Sequence, residues 1–523
     1  MIAAFIATLG VAAAPARAAP YETMVQDDNV LVYGTDTDVA TGMGVLRNLG
    51  VDRARITLPW SLAAPRPKDN RKPRGFRADQ PDAYAPSVRN YRKTFISRID
   101  RAVFIAASFG IKVDLDIGFG APRWGAAGFG RKDRFGAVDR PSPAEFAKFA
   151  RAMGRRYSGR FAPLHGKTVL PQVDVFELWN EPNVPTFMQP QWQHGVAVAA
   201  DQYRAMVQAA YPAVKAVNRT ATVLIGVTAP GGGTRGGDIS PIAPLPFLRR
   251  LACVDGRLHR VRDGACRHFR RVPGDGISHH PYALFSPPGV SSPDPNFVRV
   301  ANLDRLTNLA GRLISRHRLA PGMSNLWLTE FGYETNVPVF TKPWTLDQQT
   351  RLLAAAEYIA QRNSHVRSVT QFLLRDVLTA AAVRQAQRGR RGRFPGSWQT
   401  GLYFEDFRPK PSASTFPLTL LPFRSGDTTV GIFGHIRTDR GGGLNVRIEG
   451  LQTDGSWQPI ATSNAGGGDS HPGFVTDPGG VFLRTLRSSD PPEWYRYGIQ
   501  TPSGGWIYSV MQPLQELNKA PPK

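Results

Sequence analysis

The chain is poor in cysteine, short of acid relative to base, and has no long apolar run in its body. Two cysteines in 523 residues cannot build a tetrahedral zinc site without histidines, and no HExxH pattern supplies a metal motif instead. Beyond the first residues no segment approaches the ~18 to 20 unbroken apolar residues of a membrane helix, so no membrane insertion is expected. Asp and Glu number 41 against 65 Lys and Arg, a net charge of +24 with a pI near 10.5. No DNA- or RNA-binding motif accompanies that charge, so no nucleic-acid partner is expected. The basic excess, mostly arginine, reads as a skew of base composition or as attraction to acidic polymers such as cell-wall material or uronic-acid glycans.

What is present describes a globular chain. Apolar residues make up 41%, and the length suits a large barrel with an accessory domain. Residues 1–18 form a short apolar run ending in Ala16-Arg17-Ala18, the small-x-small pattern of a signal-peptide cleavage site. The run lacks a basic start, so an uncleaved amino-terminal helix is the alternative. An extracellular, secreted protein is therefore expected, with cell-wall association an option. Cys253 and Cys266, thirteen apart, then read as a disulfide closing a surface loop, a closure of about 3 kcal/mol by loop entropy.

From Asn29 onward, short apolar runs alternate with amphipathic stretches. The strand candidates are Val30–Gly34, Arg53–Leu58, Lys112–Gly118, Val173–Trp179, Thr222–Val227, Gly276–His280, Leu326–Glu330 and Val369–Leu374. Eight is the number that closes a parallel barrel, so residues 22–416 read as a (β/α)8 barrel domain. A doubly wound sheet would bring a glycine-rich loop after its first strand, and GTDTDVATG does not fit. Ser142 with Glu145, and Thr345 with Gln348, have capping-box spacing. Tyr91, Phe95, Ile99 and Val103 recur every fourth residue on one predicted helix face. After Pro417 the helical period gives way to alternating runs and glycine-rich turns. That reads as an all-β, sandwich-like domain over 417–514, followed by a disordered tail, 515–523.

In such a barrel the active site lies at the carboxyl ends of the strands. Strand four ends in Asn180-Glu181 and strand seven in Glu330, which places two carboxylates at one mouth. A carboxylate pair suits hydrolysis of a glycosidic bond, one member donating a proton and the other attacking the anomeric carbon or activating water. Glu177, within its strand, reads as a barrel-interior ion pair.

NEP at the end of strand four and TEFG at the end of strand seven resemble the two signatures of the retaining (β/α)8 glycoside hydrolases, the clan of the cellulase-like and xylosidase-like families. The resemblance implies Glu181 as acid/base, Glu330 as nucleophile, and Asn180 as partner of the sugar 2-hydroxyl. It also implies that Arg55 sits beside the nucleophile, that Tyr282 orients it, and that His280 lines the subsite. Trp124 matches a substrate-facing tryptophan, while Trp192 and Trp398, in predicted loops, are candidate sugar platforms. A metal role for His279 and His280 is not expected, nor is any cofactor. The expected partner is a carbohydrate, acidic glycans included, and the protein is expected to be a monomer. Strand eight departs from the pattern, offering Arg375 and Asp376 where the clan has a tryptophan. A nearby run, Arg388, Arg390, Arg391 and Arg393, reads as a solvated loop or as a cationic subsite. The rival reading is a catalytically silent carbohydrate- or cell-wall-binding protein on the same scaffold.

Overall fold

The computed structural model describes residues 21–128, 136–164, 168–335, 344–378, 397–438 and 443–521. The expected signal peptide, 1–18, and the arginine run at 388–393 lie outside the described residues. Eight parallel strands close into a barrel: β1 (Glu22–Gln26), β2 (Arg53–Thr57), β3 (Lys112–Asp116), β4 (Val175–Glu177), β5 (Thr222–Thr228), β6 (Gly276–His279), β7 (Leu326–Phe331) and β8 (Val366–Phe372). β1 closes the circle by pairing β2 on one side and β8 on the other. Each strand is followed by a helix. These are α1 (Asp36–Asn48), α2 (Phe95–Ser108), α3 (Pro143–Arg156), α4 (Val198–Lys215), α5 (Pro244–Leu251), α6 (Leu303–Ser315), α7 (Leu346–Gln361) and the short α8 (Pro411–Thr415).

One strand lies elsewhere than its hydropathy suggests. VLVYG is not β1. Asp27 accepts from the Val30 amide and caps a one-turn helix, Asp28–Leu31, which buries Val30 and Leu31. The strand is ETMVQ instead, whose polar Thr23 and Gln26 are buried. Helix signals hold better. Thr345 and Gln348 make a reciprocal capping box, whereas Ser142 caps α3 while the Glu145 side chain turns to Lys72 and Lys148. Tyr91 stands outside α2, in a 3-10 turn, and donates to Asp100 Oδ2 at 2.6 Å.

The carboxy-terminal region consists of antiparallel sheets. Among its strands, β9 (Leu418–Gly426), β10 (Thr429–Ile436) and β12 (Val481–Arg487) lie in one sheet, and β11 (Asn445–Leu451) and β13 (Trp494–Gln500) in the other. Leu420, Ile432, Ile448, Phe482 and Tyr497 share one buried cluster between them. Tail residues through Pro521 are held rather than loose. The Gln515 amide donates to Pro422 O, and Gln348 Nε2 donates to Pro521 O. Cys253 and Cys266 form the expected disulfide. No helix among the described residues is long and apolar enough to cross a membrane.

A buried ionic clamp joins the two regions. Glu357 on α7 receives Arg437 Nη2 at 2.6 Å and lies 2.6 Å from His435 Nδ1. Burial would raise the Glu357 pKa, but Arg437 and His435 outweigh it and hold the carboxyl at about 2, below its ordinary 4.5. A carboxyl depressed in the fold stabilises it fully above the unfolded value, and that contribution is lost as pH falls through the folded one. The difference corresponds to about 3 kcal/mol. Urea unfolding across this acid range should therefore show a fall in stability that is shallower in Glu357→Gln by about that amount. Parallel profiles for variant and wild type would contradict the clamp.

Candidate active site

The carboxyl ends of β4 and β7 bring the two candidate carboxylates to one mouth. Past β4 the backbone turns sharply, with Trp179 at φ 74° and Glu181 at φ 36°. Side chains enter this left-handed region only when their surroundings hold them there. Asn183 does much of that. Its Nδ2 donates to Ile242 O at 2.8 Å and its Oδ1 accepts from the Ala229 amide at 2.9 Å, tying the loop to the one after β5. Trp179 Nε1 donates to Phe187 O, and Tyr203 Oη donates to Leu178 O. At the end of β7, a Cβ on Gly332 would collide with Phe372 O of β8, so TEFG needs its glycine for close strand approach.

Beneath the mouth lies one buried guanidinium. Arg55 donates to Glu177 Oε1 at 2.6 Å, to Glu330 Oε1 at 2.7 Å and to Asn180 Oδ1 at 3.3 Å. It also donates to Gln26 Oε1 and lies 3.5 Å from Asp116 Oδ2. Glu177 is therefore an interior ion-pair partner, as its place within the strand predicts, and Ser278 and Thr329 donate to its other oxygen. Burial pushes the Glu177 pKa up, yet the charge and hydrogen bonds of Arg55 bring it below the ordinary carboxylate value. Asp114 and Asp116 behave oppositely. Burial raises both well above the ordinary range, helped at Asp114 by the Glu177 charge and opposed at Asp116 by Arg55.

The candidate pair sits directly above. One carboxylate oxygen of Glu181, one of Glu330 and a ring nitrogen of His280 all lie within 4.8 Å of one another. Both carboxylates retain solvent access, 17% and 13% of the side chain. Tyr282 Oη donates to Glu330 Oε2 at 3.0 Å, and His280 Nδ1 lies 2.9 Å from Glu181 Oε1. Glu330 thus has a guanidinium and a phenol, with the same His280 nitrogen 3.6 Å from its Oε2, whereas Glu181 has the imidazole alone among the described residues. Asn180 spends its carbonyl on Arg55, and its Nδ2 meets no protein acceptor among the described residues.

Glu181, His280 and Glu330 also supply the three donor atoms that the sequence left unnoticed as a metal set. Their surroundings fit a cation poorly. Arg55 stands 2.7 Å from one of the carboxylates, and His280 is engaged with another. His279 is no ligand candidate. It is clipped between Thr228 and Val298 O, and burial lowers its pKa to about 3, so it is neutral.

The tryptophans separate. Trp192 is not a platform: it is 4% exposed in the barrel core, its indole donating to Ser240 O. The loop over it closes because Ile242 bonds back to Asn183, a tertiary contact that loop position alone does not reveal. Trp124 is half-buried at the rim, edge-on to the core residue Trp60 and to Phe76. Trp398 lies edge-on to Phe372, which is edge-on to Tyr282, so its ring stands on the β8 side of the mouth. Arg375 and Asp376 turn to structural duty. Arg375 bonds Glu405 O and packs on Phe407, while Asp376 is paired with buried Lys410.

No protein-family model matches the chain, and no curated protein matches it either. The residues that sequence reasoning passed over are Gln26 and Asn183. Gln26 carries no motif signal, whereas Asn183, inside NEPN, adjoins one. The charge states below the mouth are testable. Asp114, protonated in the fold, must ionise on unfolding above its ordinary 3.8, so its contribution to stability declines as pH rises. Asp114→Asn should gain on the wild type in urea unfolding as pH rises above about 4. Glu177→Gln, which removes the main partner of Arg55, should instead lose roughly 3 kcal/mol at neutral pH. Equal effects from the two substitutions would refute this assignment.

Proposed function

We propose that the protein is a secreted retaining glycoside hydrolase, with Glu181 as acid/base and Glu330 as nucleophile. The observation that carries the reading is the carboxylate pair, with oxygens within 4.8 Å of each other at a barrel mouth. Retaining enzymes hold their carboxyl groups about 5 to 5.5 Å apart, whereas inverting ones need a wider gap for a water. The asymmetry of surroundings supports the division of roles. Arg55 and Tyr282 hold both oxygens of Glu330 in place for attack, while Glu181 remains available to the leaving oxygen.

In the first step Glu181 donates its proton to the glycosidic oxygen as the bond from that oxygen to the anomeric carbon breaks. Glu330 forms an ester with the same carbon. In the second, Glu181 takes a proton from water, whose oxygen attacks that carbon and releases Glu330. The free Nδ2 of Asn180 is placed to donate to the sugar 2-hydroxyl, a bond that strengthens in the transition state. The disulfide supports an oxidising, extracellular setting.

Turnover of a panel of nitrophenyl glycosides and polysaccharides tests the reading. Glu330→Ala should fall to background. Glu181→Gln should lose about 100- to 10,000-fold on substrates with poor leaving groups, and less on activated nitrophenyl ones. The first-formed sugar, followed by proton NMR, should keep its anomeric configuration. An inverted product would overturn double displacement. Absence of turnover on every sugar would favour the silent carbohydrate-binding scaffold instead.

A further inference from the structure

We propose that the loop between β2 and α2, residues 65–77, is a docking groove for the carboxylate groups of an acidic, uronic-acid-containing glycan that crosses the barrel mouth. The hydrolase reading is needed only for what happens to the bound chain. The segment PRPKDNRKPRGFR holds six bases and one acid (6 − 1, or +5). Arg66, Lys68, Arg71, Lys72 and Arg74 line one open groove, interrupted only by Asp69 among charged groups. Lys72 is paired, to Glu145 at 2.6 Å. Arg66, Lys68, Arg71 and Arg74 are exposed and meet no carboxylate at ion-pair distance among the described residues. Four unneutralised cations along one groove are complementary to a polymer that repeats its negative charge. Guanidiniums match a carboxylate with two parallel donors.

The groove is fastened to the catalytic rim. The Arg123 amide donates to Pro67 O at 2.7 Å, and Trp124 Nε1 donates to Pro65 O at 3.2 Å. Both come from the loop after β3. Lys72 Nζ stands 5.8 Å from the Trp124 ring. The groove therefore lies beside the ends of β2 and β3, the strands that carry Arg55 and Asp116. Pro65, Pro67 and Pro73 stiffen its backbone, so little ordering entropy opposes binding. A nucleic acid fits less well: none of the residues lining the open groove is aromatic, so bases have no ring to stack on there.

The test compares three proteins binding fluorescent polygalacturonate, neutral dextran, dextran sulfate and single-stranded DNA at low salt. They are the wild type, a groove variant (Arg66→Gln, Lys68→Gln, Arg71→Gln, Arg74→Gln), and an equal-charge control on the disulfide loop at the opposite face (Arg257→Gln, Arg260→Gln, Arg262→Gln, Arg267→Gln). The eight positions are exposed. Polygalacturonate should bind the wild type more tightly than the other three probes. The groove variant should lose about tenfold or more of that affinity and the control less than about threefold. Equal losses in the two variants would make binding a matter of bulk charge and overturn the groove. So would tighter binding of DNA or dextran sulfate, or an unchanged groove variant. Turnover of the panel of nitrophenyl glycosides and polysaccharides by the wild type is read separately. Its absence beside intact groove binding would sink the hydrolase reading alone, whereas turnover with an unchanged groove variant would sink the groove alone.

Discussion

The upper barrel depends on a single buried cation. Arg55 is 1% exposed and touches Glu177, Glu330, Asp116, Asn180 and Gln26. A charge this far from water is tolerable only when its donors are all answered, and removing a main partner leaves the rest uncompensated. The guanidinium also fixes geometry. Its planar fork aligns the end of β4, through Asn180, with the end of β7, through Glu330. The lower end of the barrel has a second cation, Arg53, paired with Glu22 and Asp174.

Around that anchor, carboxylates of one chemical type are set to different tasks by environment. Glu177 is ionised and committed to Arg55, whereas Asp114 and Asp116, as deeply buried, are pushed toward the neutral form. Were all three of these buried acids charged, they would crowd like charges around Arg55, which raises the pKa of the least well paired. Glu181 and Glu330 differ by position: they remain open to ligand at the mouth. Strain in the backbone at Trp179 and Glu181 is held by contacts from β5 and its loop, which makes the acid's placement a property of several elements.

Much of this was legible in the chain. Seven of the strands announce themselves by apolar runs, and NEP and TEFG mark the two strand ends by residue type. Arg55, His280 and Tyr282 were legible through a resemblance of motif, and the structure brings all three to the carboxylates. Where hydropathy misled, the reason was local. β1 directs Thr23 and Gln26 into a polar interior and so lacks an apolar signature, while the more apolar VLV is buried as a helical turn. Trp192 looked like a loop platform because loops are ordinarily exposed, but the segment bearing Ile242 folds back over it.

By itself the sequence determined the alternation of strands and helices, the identities of the residues at each strand end, and the cysteine pair, because these follow from local periodicity and spacing. Only the tertiary structure decided how near the two glutamates come, which acid Arg55 holds first, and which tryptophans face solvent. Those are contacts between residues as far apart as Arg55 and Glu330, separated by 275 positions, and their geometry exists only once the barrel has closed.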